Sequence, residues 1–223
     1  MSVHLFREVE KLKKMILKLS AMVEDNLHNA MSSITKQDVK LAHKVIQTDT
    51  QINNDEIDVE EECLKILALH QPVAGDLRFI VAVLKINSDL ERIGDLAVNI
   101  GERTVALFSE KTIELPFDFT EMSEITYSML RMSLDALVTL DGKLARSVRN
   151  LDSKVDDINR QMYDQVKIKI SENPKNVNLM INLLSISRYL ERIADHATNI
   201  AEDVIYMIEG RIIRHAKEEL ERS

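Results

Sequence analysis

The stretches "LERIGDLAVNI" (90–100) and "LERIADHATNI" (190–200) decide the fold, because they are nearly the same sequence one hundred positions apart. Leu, Glu, Arg, Ile, Asp, Ala, Asn and Ile stay in register in both copies. Earlier segments correspond too, since "DVKLAHKVIQTD" (38–49) matches "DGKLARSVRNLD" (141–152). A likeness that spans whole segments predicts an internal duplication.

Each copy has the pattern of three long amphipathic helices. Apolar residues recur at alternating spacings of three and four along the first segment, which is typical of one buried helix stripe. Pro72, Pro116 and Pro174 lie in the clearest breaks. The sequence therefore predicts an all-α fold, a tandem repeat of two three-helix bundles (1–112 and 118–223) with six long helices, short turns and a pseudo-two-fold axis.

Expected helix limits follow from these breaks. A restart at 35–38 should separate the first two helices, and the third should run from about Leu77 to Leu107. In the second copy the pattern predicts helices over 120–139 and from Asp141 to about Ile170. After Pro174 a last long helix should continue to the C-terminus.

The composition excludes several classes of protein. The formal net charge of −8 argues against a general nucleic-acid binder. Cys63 is the single cysteine, so no disulfide framework is possible, as in proteins of a reducing cytosol. No apolar run approaches the ~20 residues of a membrane span. The first residues lack the apolar stretch of a signal peptide. The expected location is the cytoplasm.

The repeated phrase places Glu91 and Asp95 four positions apart, on one face of a helix. The preceding helix carries Asp49 and Asn53 at the same spacing. Asn53 and Glu91 both lie 19 positions from Pro72, and Asp49 and Asp95 both lie 23 positions from it. Because every helical residue rises about 1.5 Å, the two pairs should meet at one level.

The second copy repeats this arrangement around Pro174. Asp156 and Asp152 lie 18 and 22 positions before it, and Glu191 and Asp195 lie 17 and 21 after it. Several carboxylates at one spot either keep protons or hold a cation. Oxygen-rich sites suit Mg²⁺, Mn²⁺, Ca²⁺ or iron, and carboxylates can also bind zinc. The alternative is that these acidic residues only face solvent, as most charged residues do.

Neighbouring residues carry weaker signals. Arg92 and Arg192 flank the acids and either orient a carboxylate or face solvent, and the second reading is slightly favoured. His196 could be a ligand, but Leu96 stands at its counterpart and it points about 100° away from Asp195. A structural or surface role is therefore expected for His196. Cys63 falls on an apolar stripe and should lie in the core.

The runs "ALHQPVAGDLRFIVAVLKINSDLERIGDLAVNI" (68–100) and "LLSISRYLERIADHATNIAEDVIY" (183–206) resemble the PhoU family, regulators of bacterial phosphate uptake. The resemblance covers nearly the whole chain. It implies metal ions bound by Glu91, Asp95, Glu191 and Asp195, with iron, zinc, manganese or magnesium as candidates. Asp49, Asp152 and Asp156 also match family positions, whereas Asn53 departs from the acidic pattern.

The same resemblance implies a cytoplasmic, non-enzymatic negative regulator of the phosphate-starvation response. Its implied partners are the ATPase of the phosphate ABC transporter, a sensor histidine kinase and a second copy of the chain. The contact with the membrane would then be peripheral, at the inner face and through these partners.

Two other functions stay open. A helical scaffold without metal would explain the helices but not the doubled acids. A carboxylate-bridged di-metal enzyme of the ferritin-like kind would use Glu-x-x-His pairs. No His in the sequence has a Glu three positions before it, and no G-x-x-x-x-G-K-[ST] phosphate loop is present.

Overall fold

The computed structural model describes residues 3–109 and 114–211 of the 223-residue chain. These residues form six α-helices and one short 3-10 turn: α1 (Val3–Thr35), α2 (Val39–His70), α3 (Ala74–Phe108), α4 (Thr120–Thr139), α5 (Gly142–Glu172), the 3-10 turn (Pro174–Asn176) and α6 (Val177–Glu209). The predicted all-α tandem repeat is confirmed. The repeat boundaries 1–112 and 118–223 stay a prediction.

Local sequence explains where the helices begin and end. Asp38 and Asp141 cap α2 and α5 at matching positions, because each carboxylate accepts hydrogen bonds from backbone N–H groups of the first turn. Gly210 ends α6 in the left-handed conformation, and its N–H donates to the carbonyl of Tyr206. The expected helix to the C-terminus is thus wrong at this point, and residues 212–223 lie outside the described ranges.

The start of α3 is a second correction, since the helix begins at Ala74 and not near Leu77. Gln71 in the preceding turn and Ala74, the first residue of α3, have positive φ, 44° and 50°. These left-handed conformations reverse the chain direction within three non-helical residues. The helix therefore begins before Leu77, the first apolar residue of the periodic pattern. The 3-10 turn at Pro174 was also outside the prediction.

The two repeats pack through α3 and α6, which run antiparallel. Three polar contacts mark their register: Lys85 with Asp203 at 3.2 Å, Asp89 with His196 at 2.8 Å, and Arg103 with Asn182 at 3.2 Å. One continuous apolar core lies between the helices of both repeats and includes Cys63, as expected. Of the helices in the described ranges, none is both long and apolar enough to cross a membrane.

Candidate functional site: two acidic clusters

A close approach of α2 and α3 builds the first acidic cluster, which we define as Asp49, Asn53, Glu91 and Asp95. A Cβ atom added at Gly94 would lie 3.2 Å from Cγ2 of Ile52 and 3.9 Å from Oδ1 of Asp49. The missing side chain therefore lets Asp49 lie directly against α3. Burial raises the pKa of Asp49, and the charge of Asp95 raises it further, so one member of each predicted pair lies near the other.

Cluster one contains two buried oxygens that lack a partner. Nδ2 of Asn53 donates to Oδ2 of Asp49 at 2.9 Å. Oδ1 of Asp49 and Oδ1 of Asn53 are buried and accept no hydrogen bond from any described residue. Each such oxygen costs about 1–3 kcal/mol unless something satisfies it. A hard cation or a water molecule bound here would recover that cost.

Arg92 forms ion pairs with both α3 carboxylates of cluster one. Its Nε lies 3.4 Å from Oε2 of Glu91, and its Nη1 lies 3.6 Å from Oδ2 of Asp95. The pKa of Glu91 is nevertheless raised, first by burial and then by the charge of Asp95. Both readings of Arg92 therefore hold in part, because its side chain is 58% exposed, as slightly favoured, and it also lies within ion-pair distance of both carboxylates.

Cluster two, which we define as Asp152, Asp156, Glu191 and Asp195, forms in the same way between α5 and α6. Burial raises the pKa of Glu191, followed by the charges of Asp195 and Asp156. Burial also raises the pKa of Asp195, followed by the charges of Asp152 and Asp156. Asp156 thus acts on both carboxylates of α6, and Asp152 acts on Asp195. Oδ1 of Asp152 also accepts a hydrogen bond from Thr198 at 3.4 Å.

The donor atoms of both clusters fit a hard cation by their chemistry, since all of them are carboxylate or amide oxygens. The side chains do not, however, enclose a ready-made site. Within 3–109 and 114–211, no three Asp, Glu, His or Cys side chains are arranged to hold a metal ion. Binding would therefore require side chains to rotate inward from the positions described here.

Comparison with known proteins identifies the repeated unit. The PhoU domain matches residues 16–104 and again residues 119–204. The chain belongs to the PhoU family. It is 39% identical to a phosphate-specific transport system accessory protein PhoU homolog of Aquifex aeolicus, over 95% of this chain and 96% of the relative.

Solved PhoU structures have the same fold. The crystal structure of PhoU from Pseudomonas aeruginosa superposes with a TM-score of 0.88 at 36% identity, over 92% of this chain and 99% of that one. The phosphate transport system regulatory protein PhoU from Streptococcus pneumoniae has a TM-score of 0.79 at 27% identity, over 93% and 98%.

Between the two PhoU repeats, His196 has the structural role expected for it. Its Nδ1 lies 2.8 Å from Oδ1 of Asp89 on α3, and Asn199 donates to the same oxygen at 3.3 Å. At the equivalent positions of the opposite repeat stand Tyr189 and Leu96, an apolar pair. The contact of His196 with Asp89 is thus an asymmetric link across the repeat interface.

Sequence reasoning missed Glu56, which extends cluster one along α2. Its negative charge contributes to the raised pKa of Glu91, and its Oε1 accepts a hydrogen bond from Asn87 at 2.9 Å. A signal was available, because Asp49, Asn53 and Glu56 follow one another at spacings of four and three. The second PhoU repeat has the neutral Asn159 at this position.

Proposed function

We propose that this PhoU-family protein is a metal-binding negative regulator of phosphate uptake and of the phosphate-starvation response. It acts in the cytoplasm, as a homodimer, and links the ATPase of the phosphate ABC transporter to a sensor histidine kinase. The supporting observation is the acidic motif, present once in each of two matched PhoU domains. The names of the relatives, accessory and regulatory proteins of phosphate transport, agree with this role.

Metal binding in this proposal depends on both clusters. Asp49, Glu91 and Asp95, with the amide oxygen of Asn53, would hold one cation. Asp152, Asp156, Glu191 and Asp195 would hold the other. A bound cation supplies the positive charge that these carboxylates lack, and iron, zinc, manganese and magnesium all accept oxygen ligands. Burial raises the pKa values of Asp49, Glu91, Glu191 and Asp195, and neighbouring carboxylates raise them further, so a bound cation would stabilise the charged forms.

A metal-free scaffold is the second candidate. The observation that favours it is the open arrangement of the carboxylates, since no three of the described ones converge on a metal position. In that case the clusters would serve only to keep the faces of α2, α3, α5 and α6 solvated. A catalytic role is not part of either proposal.

A reporter of one phosphate-starvation gene tests the regulatory role. In a deletion strain grown with abundant phosphate, the reporter should stay active, and the wild-type chain should restore repression. A chain with Glu191→Gln and Asp195→Asn should restore it poorly if metal is required. Normal repression in the deletion strain would contradict the regulator. Full complementation by the variant, with no metal in the purified protein, would favour the scaffold.

A further inference from the structure

Four segments from both repeats meet at one end of the molecule. Lys65, near the end of α2, contacts Glu8 at the start of α1 at 3.0 Å. The Arg78 side chain lies 3.6 Å from the Cβ position of Gly210, which brings the start of α3 to the end of α6. The Cβ position of Gly142 lies 3.7 Å from Cδ1 of Ile208, which adds the turn between α4 and α5. We call this surface, residues 3–14, 65–78, 138–146 and 208–211, the turn end.

The turn end exposes large apolar side chains. Val73 is 74% exposed and Leu69 is 68% exposed, the two highest values among the large hydrophobic residues described. Seven of the thirteen exposed residues of this kind lie in these four segments: Phe6, Leu69, Val73, Leu77, Val138, Leu140 and Ile208. Single exposed apolar residues are ordinary, but a group of them at one end of a molecule marks an interaction surface.

The duplication indicates that the fold does not require these apolar residues. Leu140 has a φ of 52° just before the capping residue Asp141, and it is 55% exposed. Gln37 has the same φ of 52° just before the capping residue Asp38, at the opposite end of the molecule. A polar residue therefore suits this backbone conformation, and leucine stands there although more than half of it is exposed.

The turn between α2 and α3 is also more apolar than its equivalent between α5 and α6. The turn between α2 and α3 carries the exposed Leu69 and Val73, and its backbone is left-handed at Gln71 and Ala74. The equivalent turn at the other end, "SENPKN" (171–176), is polar, and Asn173 accepts a hydrogen bond from the N–H of Lys175. Apolar side chains thus replace polar ones at both turns of the turn end.

Positive charge accompanies the apolar side chains. The four segments hold nine Lys and Arg residues against five Asp and Glu, a formal charge of +4 on a chain whose net charge is −8. An apolar surface with cations around it is complementary to the interface of a bilayer that contains anionic lipids. Each basic residue near such a surface contributes about 1 kcal/mol of attraction. Lys11 and Lys65 contribute less, because both pair with Glu62, just outside the four segments.

We infer that the turn end docks on the surface of an anionic lipid bilayer, with Leu69, Val73 and Leu140 entering the headgroup region. A lipid surface fits better than a protein partner, because the apolar residues project singly from turns and helix ends. Protein interfaces draw much of their binding energy from packed Trp and Tyr side chains, and the four segments contain neither. The binding would be peripheral and would need no other protein.

Vesicle binding of the purified full chain tests this inference directly. Sedimentation with vesicles of phosphatidylglycerol and phosphatidylcholine should remove the protein from solution, and added salt should weaken the binding. Vesicles of phosphatidylcholine alone should bind it at least about tenfold more weakly. Because the chain has no Trp, Val73→Trp places a unique fluorophore in the turn, and its emission should shift to the blue on binding.

Two sets of variants locate the surface. Leu69→Gln, Val73→Gln and Leu140→Gln together should weaken binding about tenfold or more, and Arg7→Glu with Lys14→Glu should do so through charge. The matched control is Ile168→Gln with Ile181→Gln, which removes exposed apolar side chains at the opposite end. It should bind as the wild type does, and thermal unfolding shows whether each variant keeps its fold.

Three results would overturn the inference. One is the absence of binding to anionic vesicles, and another is equal loss in the turn-end and control variants. The third is that the turn-end variants no longer bind a protein partner that the wild type binds, while neither protein binds vesicles. That result would assign the surface to protein recognition. All three leave the phosphate-regulation proposal intact, because the reporter assay measures it separately.

Discussion

Cluster one and cluster two share the same motif on their third helices but differ in the residues around it. In cluster one, Asn53 takes the place of a carboxylate, whereas the arginine beside the motif, Arg92 or Arg192, is present in both copies. In cluster two, Asp156 adds a charge that raises the pKa of Glu191 and Asp195. A duplicated motif thus fixes where the acids lie, while a few unduplicated residues set the local charge.

The helix packing beneath the clusters differs as well. Gly94 and Gly101 of α3 have Ala194 and Ala201 as counterparts on α6. A Cβ at Gly101 would lie 3.2 Å from the carbonyl oxygen of Ala42, a backbone atom that cannot rotate away. The two repeats therefore place similar acids on helix pairs with different tolerance for a methyl group.

The largest expected difference is in metal affinity. Replacing Glu191 and Asp195 with Ala should weaken the tighter metal site by about a hundredfold or more, since even changes outside the ligand shell can cost about 10–100-fold. Replacing Glu91 and Asp95 with Ala should affect only a weaker site, because cluster one has three carboxylates against four. Calorimetric titration of both variants measures this, and a tighter site that survives in the first variant would contradict the charge argument.

Asn53→Asp should make the clusters more alike. With a fourth carboxylate, cluster one should bind a divalent cation about tenfold more tightly, because ligand charge tunes affinity in oxygen sites. The metal-free variant should lose about 1 kcal/mol of stability, since the hydrogen bond from Asn53 to Asp49 is replaced by repulsion. Asp156→Asn is the matched reverse change, and unchanged affinity in both variants would mean that Arg92 or geometry dominates.

Gly101→Ala tests the close approach of α2 and α3. Alanine favours the helix by about 1 kcal/mol, but overpacking against Ala42 should cost about 1–3 kcal/mol. A net loss of about 1 kcal/mol in the free energy of unfolding is expected from chemical denaturation. Gly75→Ala is the control, because nothing lies within 4 Å of its Cβ position, and it should be neutral or slightly stabilising. A stabilised Gly101→Ala variant would show that the helices can separate.

The smallest effect concerns metal-free stability and pH. A carboxyl group whose pKa is raised by folding binds its proton more tightly in the folded chain, so its contribution improves as the pH falls towards about 4. Glu191→Gln with Asp195→Asn should therefore raise the Tm of metal-free protein at neutral pH by about 1–3 °C, since solvent screens these groups. The gain should exceed that of Asp49→Asn with Glu91→Gln and should vanish near pH 4.

A different group opposes this trend at lower pH. Although its burial acts in the other direction, hydrogen bonds with Glu8, Lys11 and Lys65 lower the pKa of Glu62 to about 2. The stability that Glu62 contributes is present above its ordinary pKa and is lost as the pH falls towards 2. Thermal melts of the wild type and of the Glu191→Gln with Asp195→Asn variant between pH 7 and about 4 avoid this opposing loss, and a Tm difference that stays constant over that window would contradict the assignment.

Much of the fold could be predicted from the sequence because helix periodicity and proline breaks are local signals. The meeting of Asp49 with Asp95 followed from equal distances to Pro72, since helical rise is constant. The early start of α3 could not be predicted, because positive φ at Gln71 and Ala74 occurs in residues that rarely adopt it.

The side-chain contacts around the clusters were harder to predict from the sequence. Arg92 contacts Glu91 and Asp95 through rotamers that no spacing rule specifies. The link between Asp89 and His196 joins different repeats. The equivalent positions carry other residues, Tyr189 and Leu96, so nothing in the repeated sequence indicated this contact. Long-range side-chain pairs of this kind depend on how α3 and α6 dock, which sequence periodicity does not determine.

The meeting of four segments at the turn end places the outer ends of the chain's helices where a circular permutation could join them. Val3 and Glu209, the outer ends of the first and last helices, lie at this same end, whereas the linker around Pro116 lies at the other. A chain joined at its outer ends and opened at the linker would have the second repeat first and would keep every helix contact. Helix ends at the same end of a domain allow such a circular permutation when a linker joins them. The contacts between the described helices thus do not depend on which repeat comes first in the chain.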